Sequence, residues 1–259
     1  MDSKPRSTIT LYRGWDEPGR YVWSPFVTKV EFRLRTSRTP YSNAIGSTHA
    51  GPRGKIPYLE ITTPNQPTEC LADSALVLRT LSSRGVITDV NASLTPSQKG
   101  QDLAIRALME DKLYFCHTHE RWIKNYYTMR DHVLWSMPYP MRVIIGILAY
   151  RGNVRKLHDQ GTGRFTDAEI RALIREVWEG ISGMLEDSMR KAKDRDCFWI
   201  LGGNEPTEAD ATVFGFIASV LVCDAGPESR ALVKEEFPVL VEYAGRIHQQ
   251  WFPDYEIWG

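Results

Sequence analysis

Three short segments of this 259-residue chain carry residue types that could do chemistry at their spacing. The first is Trp23-Ser24-Pro25-Phe26. Proline favours the first turn of a helix, and Phe26, Val30 and Leu34 recur at helical spacing, so Ser24 stands at a helix start. A hydroxyl there lies beside unpaired backbone N–H groups and the positive end of the helix dipole, a setting that stabilises a bound thiolate. Its competing role is an ordinary N-cap. The second segment is Gly54-Lys55-Ile56-Pro57-Tyr58. Proline cannot donate to a sheet ladder, so at a strand start it marks an edge, a turn or a cis bond. A cis Ile56–Pro57 bond would leave the Ile56 N–H and C=O pointing outward to pair with a peptide-like ligand; a plain edge-strand proline would not. Lys55 adds a positive charge beside that edge. The third segment is Asp73-Ser74, ahead of an apolar run at 75–81. A hydroxyl and N–H groups at a helix start suit a carboxylate, while Asp73 suits an ammonium group; simple capping is again the alternative.

The elements that must position these groups can be read from hydrophobic spacing. Residues 9–12 and 55–61 are β-prone runs, the segment from Pro25 is a helix, and 40–45 reads as a further strand. After residue 100 the pattern changes to long amphipathic helices, one of them over 165–193 behind a Thr166 cap, and the polar stretch 88–100 reads as a linker. Mixed strand and helix followed by helix alone predicts two domains, 1–88 and 101–259. Thr207-Glu208-Ala209-Asp210 has the form of a capping box ahead of the apolar stretch 211–222, a structural device.

Composition narrows the partners. Lys plus Arg and Asp plus Glu balance at 32 each, so no global charge draws the chain to nucleic acid or an anionic membrane. The most apolar stretches, 143–149 and 211–222, fall short of the ~20 residues a membrane helix needs. Cys70, Cys116, Cys197 and Cys223 have no paired spacing and no signal-like segment opens the chain, which together imply a reducing, cytoplasmic setting.

Taken in order, the three segments resemble the glutathione transferase superfamily. The resemblance implies an α/β thioredoxin-like N-terminal domain that binds glutathione and an all-α C-terminal domain that supplies the pocket for a second substrate. It implies that Ser24 faces the glutathione sulfur, that Ile56, ahead of the cis-proline Pro57, pairs with the cysteinyl part, that Asp73 and Ser74 hold the γ-glutamyl end, and that Lys55 contacts the tripeptide. Segments around Tyr114 to Trp122, Leu201 to Gly215 and Phe237 to Asp254 are similar to the Fax and metaxin-like branch. Relatives of this kind imply two outcomes for a thiolate added to an apolar, electrophilic small molecule: conjugation, or reversible addition that isomerises a double bond, as in some fungal pathway-associated members. They also imply homodimers and, in the Fax and metaxin-like branch, non-catalytic adaptors.

The loop from Arg13 to Trp23 is longer and richer in Trp and Tyr than most transferases carry. Trp15, Tyr21 and Trp23 therefore either line the ligand site or cover the sheet, and Tyr12, Tyr21 or a backbone N–H could replace Ser24 as thiol activator. Cys116-His117-Thr118-His119 offers metal-binding atoms, but His117 lies off the helical face that Cys116 and His119 share, so helix packing is the expected role and no metal is expected. Tyr126, Tyr127, Trp135, Tyr139 and Tyr150, with Met129, Met137 and Met141, either line an apolar pocket between the domains or belong to the core. Arg13, Arg33 and Arg35 are expected on a solvated face.

Overall fold

The computed structural model describes residues 7–192 and 198–259. Cys197 and Lys193 lie outside them. Strand β1 (Thr8–Tyr12) leads through a long loop to helix α1 (Pro25–Thr36), followed by β2 (Ser42–Ala44), β3 (Tyr58–Thr62), β4 (Glu69–Ala72) and α2 (Ser74–Ser83). The four strands form one sheet in the order β2-β1-β3-β4, parallel between β1 and β2 and antiparallel elsewhere. Leu11 faces Leu59 across β1 and β3, and Leu59 faces Leu71 across β3 and β4. This apolar row packs on Val30 and Leu34 of α1 and on Val77 and Leu81 of α2. Each fully buried leucine or valine here contributes roughly 2 kcal/mol of burial.

All-helical structure follows. It comprises α3 (Pro96–Ala107), a π-helical segment at Leu108–Leu113, α4 (Tyr114–His119), a second π-helical segment at Glu120–Lys124, α5 (Tyr126–Val133) and α6 (Tyr139–Gln160). A 3-10 turn leads to α7 (Asp167–Ala192), then α8 (Glu208–Val222), α9 (Pro227–Glu236) and α10 (Pro238–Trp251). From Ala209 to Leu221 every residue of α8 is buried, as a helix apolar on all sides must be. Its sheath includes Trp178 and Leu185 of α7 and Leu240 and Tyr243 of α10. The Thr207–Asp210 capping box forms as read from sequence. Among the described residues no single helix is long and apolar enough to cross a membrane.

Two sequence readings need amendment. The stretch 88–100 is not all linker, because Thr95 and Gln98 close a second capping box that starts α3 at Pro96. The expected solvated face of arginines does not exist: Arg13 and Arg33 are each 1% exposed. Arg33 bonds Glu208 at 2.8 Å and the Thr88 carbonyl at 2.6 Å, tying α1 to the start of α8. Arg13 lies 3.4 Å from the buried Glu31, which also accepts from the Tyr255 hydroxyl at 2.6 Å. Arg35 clamps Asp254 with two nitrogens and so fastens the C-terminal tail to α1. Each arginine is drawn inward by a carboxylate far away in sequence, which is why spacing gave no hint.

Candidate active site

α1 sits between the sheet and α8, and this contact places the site. Gly215 of α8 faces the first turn of α1: a Cβ at this position would stand 3.2 Å from the Lys29 nitrogen and well inside van der Waals contact of the Pro25 carbonyl oxygen. Lys29 is buried and reaches Glu110 at 2.5 Å, and Thr212 donates to the same carboxylate oxygen at 3.0 Å. The N-terminus of α1 is thereby held against the helical half, where it opens into a cavity of about 430 Å³.

One wall of the cavity is polar and comes from the sheet half: Ser24, Lys55, Ile56, Asp73 and Ser74. The structure thus brings together five of the six residues singled out in the sequence; Pro57 is buried one residue behind the wall. Ser24 has extended backbone, as an N-cap should, yet its side chain makes no cap bond to α1. The ordinary capping role therefore does not account for this hydroxyl. Ile56–Pro57 is cis, and Ile56 precedes the first ladder residue, Tyr58, so its backbone lies outside the sheet's hydrogen-bond register. Asp73 does cap: one carboxylate oxygen accepts from the Ala75 and Leu76 N–H groups at 3.2 and 3.3 Å. The second oxygen has no share in those two bonds.

The facing wall is helical and largely apolar. Phe26 packs edge-on against Tyr114 and Phe216, and Trp122, Met129 and Val133 extend the surface. Lys156 of α6 stands 5.8 Å from the Tyr114 ring centre at the rim. Of the aromatic and methionine group suspected as pocket lining, only Met129 reaches this cavity. Tyr127, Trp135, Tyr139 and Met141 are exposed instead, on a strip that α6 continues with Ile144 and Leu148.

The candidate activators separate clearly. Tyr12 donates to Glu60 at 2.7 Å, stacks on Tyr58 and is absent from the cavity wall; that bond to a carboxylate, with burial, pushes its pKa up to about 12. Tyr21 is buried, with its hydroxyl 2.9 Å from His248 Nδ1, and burial pushes its pKa up further still. Ser24 and main-chain N–H groups remain at the cavity. Cys116 is buried, and burial raises its thiol to about 11, which leaves it a packing residue.

Of the two places open to Trp15 and Trp23, the structure gives them the cavity wall, while the histidine that holds them carried no sequence signal. Trp15 and Trp23 both line the cavity, and between them lies His132 of α5, stacked on Trp23 at 3.5 Å and 9° and on Trp15 at 5.3 Å. Burial pushes the His132 pKa down from 6.5 to about 4. The unfolded chain takes up this proton first as pH falls below 6.5, so the neutral ring's contribution is present above 6.5 and lost toward pH 4. The shift corresponds to about 3 kcal/mol, reduced to about 2 by the partial exposure of the ring. His132→Phe keeps an aromatic ring without the titration. Urea unfolding of this variant should lose about 2 kcal/mol less than the parent between pH 6.5 and 4, and equal losses would refute the assignment.

The family described as glutathione S-transferase N-terminal domain matches residues 25–129, and the glutathione S-transferase C-terminal domain family matches 195–247, together more than half of the chain. Among solved structures, the chain is similar to glutathione transferase GSTFuA3 from Phanerochaete chrysosporium, with TM-score 0.59, 15% identity, and 96% of this chain and 98% of that chain covered. It is also similar to a glutathione transferase family member from Pseudomonas fluorescens solved with two glutathione bound, with TM-score 0.56, 14% identity and coverage of 95% and 90%. A transferase from Burkholderia graminis, also solved with two glutathione molecules per subunit, gives TM-score 0.55, 14% identity and coverage of 95% and 85%. At these identities the likeness concerns the fold.

Proposed function

Because the chain belongs to the glutathione S-transferase superfamily, we propose that it is a glutathione-dependent enzyme that adds the tripeptide's thiolate to an apolar, electrophilic small molecule. The observation that carries this reading is the Ser24 hydroxyl, which opens α1, caps nothing and lines a cavity together with Lys55, Ile56, Asp73 and Ser74. These groups fit the tripeptide chemically: Asp73 takes the α-ammonium, Ser74 an adjoining carboxylate, the Ile56 main chain the cysteinyl amide, and Lys55 a further carboxylate. When bound, glutathione supplies the nucleophilic sulfur. Ser24 donates a hydrogen bond to it and favours the ionised form, helped by the positive end of α1. Phe26, Tyr114 and Trp122 hold the acceptor out of water.

In conjugation the sulfur's electron pair forms the new C–S bond, the displaced π pair moves to the neighbouring carbon, and a proton from water completes the product. Isomerisation uses the same groups without that proton: rotation about the loosened bond is followed by departure of the sulfur. Pairing into a homodimer belongs to the same proposal. The Fax and metaxin-like resemblance supports a second reading, an adaptor with an idle cavity, and calorimetry with glutathione separates the two. The enzyme reading expects binding at or below millimolar ligand; none at that concentration would sink it. Ser24→Ala should then raise the pKa of the bound thiol, read from thiolate ultraviolet absorbance, by about one unit, corresponding to up to about tenfold less thiolate at neutral pH. An unchanged pKa would move activation to the backbone N–H groups.

A further inference from the structure

Five lysine and arginine residues are buried among the described residues: Arg13, Lys29, Arg33, Arg121 and Arg130. Four of them lie on a carboxylate, namely Glu31, Glu110, Glu208 and Asp131 respectively. Arg121 does not. It is 8% exposed, in the π-helical segment Glu120–Lys124, and the bonds it makes go to neutral acceptors: the Trp23 carbonyl at 3.1 Å, the Ser219 hydroxyl at 3.1 Å and the Ser219 carbonyl at 3.4 Å. A buried charge without a counter-charge is costly, so its retention calls for an anion nearby. Arg121 lines the same cavity as Ser24. The carbonyl it holds belongs to the peptide unit that carries the Ser24 N–H, and Ser219 donates to that carbonyl as well, at 2.5 Å.

None of the described carboxylates at or beside the cavity forms an ion pair with Arg121, although the buried Glu120 carboxylate and the Arg121 Nε both border Gly226. Glu110 is matched by Lys29, and the neighbouring Glu120 is committed to the start of α9 through the Glu228 and Ser229 N–H groups. His117 is held neutral by burial and by Arg121 itself, and burial keeps the nearby Cys223 a thiol. Asp73, Asp111, Lys55 and Lys156 complete the charged lining.

We infer that Arg121 is a positioning residue whose counter-ion is the thiolate bound at Ser24. Its charge, and its hydrogen bond into the Trp23–Ser24 peptide, favour breaking the S–H bond with the electron pair left on sulfur and the proton released to bulk water. This rests on the reading of the cavity as a glutathione site, so wild-type calorimetry with glutathione comes first: absence of binding removes that reading, whereas binding leaves Arg121 to be judged alone. Arg121→Gln should raise the bound-thiol pKa by about one unit and weaken glutathione about tenfold more than S-methylglutathione, which has no thiol to ionise. Arg121→Lys should restore most of both effects. Ser219→Ala keeps the charge but loosens its anchor, and a rise of about half a unit is expected even where Arg121→Gln fails to fold. An unmoved pKa in Arg121→Gln, or in Ser219→Ala where the former does not fold, would overturn the inference. So would equal weakening of the two ligands.

Discussion

Asp210→Ala is expected to cost about 4 kcal/mol of folding stability. Asp210 is fully buried at the start of α8, and its two oxygens accept four hydrogen bonds, each at 2.8 Å: from the Ile200 N–H and the Tyr243 hydroxyl on one, and from the Thr207 N–H and hydroxyl on the other. Alanine removes every acceptor at once. The Thr207 and Tyr243 hydroxyls can turn elsewhere, but the Ile200 N–H and the Thr207 N–H are left buried without a partner, at roughly 1–3 kcal/mol each. Asp210→Asn is the sharper case. Its amide nitrogen would present a hydrogen to a backbone N–H whichever way it lies, that of Ile200 or that of Thr207, so it should lie within about 1 kcal/mol of alanine although it nearly preserves volume. Urea unfolding with unchanged m-values checks both. An asparagine variant close to the parent in stability would mean that the carboxylate is not needed as a double acceptor on each oxygen.

That anchor was legible in the sequence because a capping box is local: Thr207 and Asp210 are three residues apart, and the apolar run behind them marks the helix they start. Ser24 and Asp73-Ser74 were legible for the same reason. Both are helix starts, and a helix start is a chemical environment whatever surrounds it. The parts that escaped depend on distant residues. β4 is Glu-Cys-Leu-Ala, too short and polar to alternate clearly, and it exists because β3 offers an edge. Arg13 and Arg33 look like solvent-facing charges until Glu31, Glu208 and the Thr88 carbonyl are brought beside them. The aromatic residues of α5 and α6 have pocket-like composition, but composition cannot tell a face turned to the cavity from one turned outward. Arg121 carried no signal at all, since what distinguishes it is its bonds to the Trp23 carbonyl and the Ser219 hydroxyl, each 98 residues away in sequence.

Gly215→Ala should reach the site from outside it. The added methyl would meet the Pro25 carbonyl oxygen and the Lys29 nitrogen, both backbone atoms of the α1 first turn, which cannot rotate aside as a side chain could. Either α1 lifts from α8 or α8 bends, and overpacking of this kind costs about 1–3 kcal/mol. The displacement falls on the residue beside Ser24. A catalytic group moved by about 1 Å can lose roughly a hundredfold in rate, because positioning supplies much of the advantage of a bound nucleophile. The variant should therefore remain folded at 25 °C, with kcat/KM for a glutathione-dependent reaction down at least about tenfold and the bound-thiol pKa shifted toward that of the free thiol. Gly183→Ala in α7 is the matched control. Its Cβ meets nothing within 4 Å, and replacing a mid-helix glycine there should gain about 0.5–1 kcal/mol with no change at the thiol. If Gly215→Ala loses stability yet leaves the thiol pKa in place, the α1–α8 contact holds the two halves together without setting the position of Ser24. Loss of both is the expected result, since the same backbone turn makes the contact and presents the hydroxyl.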